Sequence, residues 1–524
     1  MDSLFRVCPP RRPRQGPGSP PGCDRKRRPA IPLTALILLV SLWATPATPG
    51  QGQRALLAPA ERNGFTSITP YDSLQSFLSE IGRIPSIRVE QIATTRLGRA
   101  VNVVRVLLPR QDSAAIRLRV LLFAQQHGDE PSGKEALTVL LARCASGQLD
   151  SILSHVELFI VPQMNPDGAE LRQRRTSDSV DLNRNHLVLT SPETRALHDL
   201  FLAVRPQVTV DLHEYGSYSK AWRDSGFMKR GDVQLGMLTN LNSSPILRKY
   251  QREAVYPFIA GRMSVAGYLF HEYIVGSPGE YVRHSTTEIN DGRQSFGILN
   301  TLSFIQEGWQ GKTLEDSLKR QTLSQLTSIE SLIEFCAMHA EEIRELVARE
   351  QGALQEFAGK DFVLRMEHYP GEGVMQIPVH LVSSGKDTVW AITPYRNVVR
   401  ALATTTVPRE YVVRQEATSI LSVLGRHRIK THVVQEERIV EAVVFKIDSV
   451  GTEVVEEDSL PRLFVTEKRA QTLLRPGDVV VPTSQWQSLL IATMLEPTSV
   501  WGLPKYPGFA WLLHEKQYPV FRIQ

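Results

Sequence analysis

The sequence predicts an α/β fold: a mixed, largely parallel sheet flanked by helices, followed by a mainly β or α+β C-terminal domain. Three observations carry this. Apolar runs of strand length alternate with helical segments in the first part of the chain, the pattern of a parallel sheet covered on both faces. The chemistry-bearing residues fall just after the carboxyl ends of those runs, where open α/β sheets place their crevices. Near residues 357–360 the texture changes, and short alternating runs separated by turns take over.

Residues 1–47 are expected to be a signal peptide with a basic leader. Residues 31–44 are apolar, carry no charge, and are too short to span a bilayer comfortably, which suits an export signal. Ala44-Thr45-Pro46-Ala47 supplies small residues for cleavage. The protein is then secreted or periplasmic. The alternative is a membrane anchor through residues 31–44, and membrane contact is expected only in that case.

Residues 72–78 predict a helix, followed by short strands. Leu118–Ala124, Val156–Val161 and residues 208–212 predict strands, with helices over residues 134–144 and Pro192–Val204 between them. Residues 321–355 form one long helical pattern, with Leu326, Ile329, Ile333, Cys336 and Ile343 close to a single stripe. This helix closes a catalytic domain spanning residues 58–355 or bridges it to the next. A β-rich accessory domain spans residues 361–524, with strand-like runs at 374–381, 411–413, 429–434 and 442–447.

The net charge of +5 is carried by the leader. Residues 1–47 hold eight basic and two acidic side chains, +6 in all, which leaves −1 of the +5 for the remainder. That near-neutral body has no electrostatic footprint for nucleic acid. Outside the leader, Cys144 and Cys336 lie on apolar helical faces and read as buried thiols; their spacing leaves a disulfide open. Neither has the setting of a metal ligand.

His127-Gly128-Asp129-Glu130 ends one apolar run and opens a helical one. An imidazole and a carboxylate three residues apart can grip one zinc ion, and His213, at the end of the next β-branched run, can supply a third ligand. Two histidines and one glutamate make a catalytic set, because one coordination position stays open. H-x-x-E alone is weak, since the pair recurs by chance on surface helices. Three further stretches change the weighing: Asn165-Pro166-Asp167-Gly168, Asp181-Leu182-Asn183-Arg184-Asn185, and Glu307 at the end of the run 302–306.

With these residues in this order, residues 65–309 resemble the zinc metallocarboxypeptidases of the carboxypeptidase A type. Two tail segments, 477–482 and 494–497, look like those of larger bacterial members. The resemblance implies the fold and assigns roles. His127, Glu130 and His213 hold Zn2+, and Asp181 orients the first histidine. Glu307 is the general base and Arg174 stabilises the oxyanion, with a slip to Arg172 or Arg175 left open. Asn183 and Arg184 bind the free terminal carboxylate of a peptide substrate. Tyr281 is the candidate for a tyrosine that caps the substrate, and Glu280 and Glu288 are lesser rivals for the base. The implied activity is hydrolysis of the C-terminal peptide bond through a zinc-activated water. Two alternatives stay open: a zinc amidohydrolase acting on cell-wall peptides or N-acyl amino acids, and a catalytically silent protein that binds peptide or glycan.

Overall fold

The computed structural model describes residues 56–109, 116–217, 219–311, 314–456 and 458–524, the side chains of residues 314–316 excepted. The expected signal peptide, residues 1–47, lies outside the described residues. Among the described residues no helix is long and apolar enough to cross a membrane.

Eight strands form the main sheet: β1 (Ile87–Thr94), β2 (Ala100–Val106), β3 (Leu118–Ala124), β4 (Val156–Val161), β5 (Val208–Gly216), β6 (Val233–Gly236), β7 (Phe270–Glu272) and β8 (Leu302–Gln310). Their order is β1-β2-β4-β3-β5-β8-β6-β7. The centre, β4-β3-β5-β8, is parallel, and antiparallel pairings flank it at β2–β4 and β8–β6. Strands buried on both faces can be apolar at every position, and Val156–Val161 is buried throughout.

Alternation along β3 divides the core. Val120 and Leu122 face α1 (Tyr71–Ile81), α2 (Ser132–Ala145) and α4 (Leu314–Met338), packing with Phe77, Leu137 and Ile329. Leu121 and Phe123 face the other way, onto Leu197 and Phe201 of α3 (Pro192–Val204) and onto Trp486 and Leu490 from the C-terminal part. The second face of the sheet is therefore covered by residues from both ends of the chain.

The 321–355 pattern is two helices rather than one: α4 ends at Met338 and α5 spans Ala340–Leu354. His339, at φ −118° and ψ 25°, leaves the helical backbone between them. Its ring stacks on Phe335, and its Nδ1 lies 2.9 Å from Glu342. Both helices bury the same stripe, so the apolar period runs through the break.

Residues 361–524 are β-rich, with helices at Thr418–Arg426 and Ser488–Leu495. The expected 429–434 run is strand only at His432–Val433. A hairpin of 18 and 17 residues, Arg438–Val455 and Asp458–Leu474, dominates the six-stranded sheet. Two pairings tie this region to earlier residues. Met375–Leu381 pairs with Phe227–Lys229, and Tyr395–Arg396 pairs with Val282–His284. Cys144 and Cys336 are free and buried.

Candidate metal centre and active site

His127 stands just past the carboxyl end of β3, and His213 and Glu307 lie in the carboxyl-terminal halves of β5 and β8. His127 and Glu130 straddle the turn into α2, and Glu130 Oε1 lies 2.7 Å from His127 Nδ1. His213 Nδ1 is 2.9 Å from Glu130 Oε2 and 3.1 Å from His127 Nδ1. The three side chains are buried and form, among the described residues, one cluster able to hold a metal ion. Two ring nitrogens close to each other and to one carboxylate, in a buried site, are the donor set of a divalent cation. The residues fit zinc.

Each histidine has a carboxylate behind it, which fixes ring orientation. Asp181 Oδ1 lies 3.2 Å from His127 Nε2. Asp211 Oδ1 lies 2.9 Å from His213 Nε2. Asp211 was not singled out from the sequence, although the signal was there. Residues two apart on a strand share a face, so Asp-x-His on β5 sets carboxylate and imidazole side by side. Gln126 extends this support. Its Nε2 donates to Asp211 Oδ2 at 2.8 Å, and its Oε1 lies 2.9 Å from His186 Nε2. His186 in turn sits 3.0 Å from His198, and burial pushes His186 down to about 4.

Two glycines account for the interlock of the motif loops. A Cβ on Gly128 would lie 2.1 Å from the backbone of Gly168, and one on Gly168 would lie 2.6 Å from Arg175 O. The loops therefore touch backbone to backbone. Asn165 braces them: its Oδ1 caps Gly168 N at 2.8 Å, and its Nδ2 donates to Gln126 O at 3.1 Å and to Arg174 O at 3.3 Å. Asp167 is buried and accepts from Thr95 Oγ1, Leu97 N and Arg99 Nη1. Asn-Pro-Asp-Gly is thus a structural motif that aims Arg174.

Arg174 is the arginine at the metal set. Its Nε donates to Asp181 Oδ2 at 3.0 Å, and its Nη1 lies 3.1 Å from His127 Nδ1 and 3.5 Å from Glu130 Oε1. Arg175 instead donates to Ser179 O, and Arg172 lines a separate cavity. The Arg174 and Arg184 side chains are 44% and 43% exposed, against 3% for His127. Two half-open guanidiniums therefore border a closed ligand set.

Asn183 and Arg184 lie on a short turn after Asp181. Asn183 Oδ1 accepts from Gly292 N at 2.8 Å. Arg184 Nε lies 3.1 Å from Glu288 Oε2. From its polar sequence neighbours Glu288 is expected in polar surroundings; the fold buries it, and burial pushes its carboxyl up to about 8 against the pull of Arg184.

Glu307 pairs in register with His213 across β8 and β5, which sets it beside the ligands. Burial raises its carboxyl above the usual range, against the pull of His213 and with a push from Glu130. In Glu130 itself burial acts upward, but the two imidazoles hold it well below normal. Glu214 belongs to the other face of β5. It caps the start of α2 through Ser132 N, its own N–H donates to Glu130 Oε2 at 3.0 Å, and burial moves its carboxyl up to about 8.

Tyr281 lines a cavity with Arg283, Arg365 and Glu456, its ring beneath Arg396 at 4.5 Å. Burial raises the hydroxyl of Tyr273, the charge of Glu307 pushes it further up, and Arg293 and Arg184 pull it back.

Residues 74–242 match the family model described as zinc carboxypeptidase. Carboxypeptidase 2 of Trichophyton tonsurans is 22% identical over 423 residues, 78% of this chain and 77% of that protein. Carboxypeptidase SOL1 of Arabidopsis thaliana is 35% identical over 106 residues, 17% of this chain and 21% of that protein. Among solved structures, a metallo-carboxypeptidase from Burkholderia cenocepacia has 18% identity and a TM-score of 0.42, covering 51% of this chain and 70% of its own.

Proposed function

We infer that this chain, which belongs to the zinc carboxypeptidase family through residues 74–242, removes single residues from the free C-termini of peptides. The observation that carries the reading is the pairing of a His-Glu-His set with a half-exposed arginine, Arg184, one short turn past the carboxylate that orients the first ligand. Zinc held by His127, Glu130 and His213 supplies a Lewis acid and lowers the pKa of water toward neutrality.

The chain's own residues do the rest. Arg184 receives the terminal carboxylate through its fork of N–H groups, and Asn183 adds an amide donor. Arg174, beside His127 and Glu130, faces the oxygen on which charge develops. Glu307 takes a proton from the attacking water and returns it to the leaving amine; its raised pKa brings its basicity nearer to that task. Asp181 and Asp211 keep the two imidazoles turned toward the metal.

We assign residues 58–355 as the catalytic domain, 361–524 as an accessory domain, and 1–47 as an export signal that releases the protein outside the cytoplasm. N-terminal sequencing of exported protein should then begin near Thr48; mature protein that retains the Arg25–Arg28 cluster would support an anchor instead.

The decisive test compares peptides with free and amidated C-termini, across aromatic, basic and acidic last residues. Arg184→Ala should cut kcat/KM for free acids about a hundredfold, the order expected on losing a charge-assisted pair. Amides should be poor substrates already and change little. Equal cleavage of both by the wild type would remove the carboxypeptidase reading and leave a zinc hydrolase of another kind.

A further inference from the structure

The wall behind Arg184 is built from two distant parts of the chain. Residues 283–292 run past the turn that carries Asn183 and Arg184 and grip it at several points. Asn290 Oδ1 accepts from Leu187 N at 2.7 Å, and its Nδ2 donates to Arg184 O. Gly292 N donates to Asn183 Oδ1, and Glu288 meets the Arg184 guanidinium.

On its far side the same segment meets the tip of the long hairpin. Glu456 sits there with φ +52°, a backbone state uncommon outside glycine. One oxygen of its carboxylate accepts from both Thr287 N at 2.6 Å and Thr287 Oγ1 at 2.7 Å. Its backbone oxygen accepts from Arg283 Nη2 at 3.3 Å, and its second carboxylate oxygen lies 3.9 Å from Arg283 Nη1. Just below the tip Glu453 pairs with Arg365 and Lys505, which anchors the hairpin where it enters.

A carboxylate with only 12% of its side chain exposed is costly to bury unless its bonds do something. The hairpin does not need it for its own cohesion, because its two strands pair along nearly their whole length with one register shift. Its two short bonds go instead to Thr287, the residue immediately before Glu288, and its longer contacts to Arg283. A long, half-exposed arginine keeps one orientation only if a neighbour fixes it, and Glu288 is the carboxylate in contact with Arg184.

We propose that Glu456, delivered by the hairpin of the C-terminal part, is a positioning residue for substrate recognition. Through Thr287 it fixes Glu288, and through Glu288 it fixes the Arg184 guanidinium that receives the terminal carboxylate. Glu456 thereby backs the segment that carries Glu288. This rests on the reading of Arg184 given above.

The test uses the full-length, zinc-loaded protein with Glu456→Ala, Glu456→Gln and Thr287→Val. Measurements are kcat and KM on paired free-acid and amidated peptides, zinc content, and hydrogen exchange over residues 284–291. Glu456→Ala should raise KM for free acids about tenfold, the effect of losing hydrogen bonds to a charged group. Its kcat should stay within about threefold of wild type, with zinc content and amide cleavage unchanged, as expected when only a binding contact is weakened. Glu456→Gln, whose amide oxygen still accepts, should recover most of the loss. Thr287→Val should shift KM the same way, and the double variant with Glu456→Ala should be no worse than Glu456→Ala alone, since both remove one interaction. Exchange over 284–291 should quicken in Glu456→Ala. Unchanged KM, or an equal slowing of free acids and amides, overturns the proposal. If the wild type does not distinguish free acids from amides, the Arg184 reading fails separately, and the exchange result then decides whether Glu456 holds the segment.

Discussion

Glu307 and Glu288 are both buried carboxyls beside cations, and burial raises both, yet they differ in what their protons do. Glu307 neighbours the metal set, so its proton is the one that moves in turnover. Glu307→Gln should retain one zinc per chain, measured by metal analysis, and lose kcat by about two to four orders of magnitude, the span of general-base effects. The Glu288 proton bears on stability. Its carboxyl goes from 4.5 in the unfolded chain to about 8 in the fold, so the native state binds the extra proton. A raised acid contributes stability that is fully present below 4.5 and is lost as pH rises through about 8. Wild-type Tm should therefore fall between pH 5 and 8 more steeply than that of Glu288→Gln; parallel curves would show that burial is not moving this group. At this scale the grouping of His127, Glu130 and His213 with Asp181, Arg174 and Glu307 was legible because each sits in a motif or closes an apolar run. Asp211 was legible in principle from its strand period. Glu288 was legible only as a lesser rival for the base; its place beside Arg184 was not, since it depends on a segment whose course is set by contacts with residues 183–187 and with Glu456.

Among the elements, the interlocked turns after β3 and β4 bear most on the site. The backbone of one occupies the space where the other would carry a side chain. Gly128→Ala should destabilise the protein by about 2 kcal/mol or more, the scale of overpacking in a rigid contact. Because the turn carries His127 and Glu130, zinc affinity should fall in the same variant; urea unfolding with and without chelator separates the two effects. A fall in stability with unchanged zinc affinity would mean that the turn yields without moving the ligands. The central strands and their helices were readable from period and length, since buried parallel strands are uniformly apolar. The break at His339 was not, because one apolar stripe serves both helices. The last two strands of the sheet, β6 and β7, of four and three residues, are too short for any period to register.

At the scale of the whole molecule, the sheet that carries the site is finished by residues far along the chain. Trp486, Leu490 and Trp501 share a core with Phe123, Phe201 and Phe296, so cutting the chain after residue 355 would uncover one face of the main sheet. That fragment should fail to fold as a soluble zinc-binding unit, checked by expression and circular dichroism; a folded, zinc-loaded fragment would show that residues 361–524 are dispensable. The sequence signalled the change of texture at this point but not the shared core, because apolar runs do not name their partners. The contact between Thr287 and Glu456 has a consequence in time as well as in space. A chain made from its N-terminus has all three metal ligands by residue 213, yet it cannot bring Glu456 to Thr287 until 243 further residues have followed. Contacts so distant in sequence form late. In the full-length chain refolding from denaturant, zinc should be captured before the Glu456 contact closes, and stopped-flow refolding should find metal capture running ahead of the return of activity.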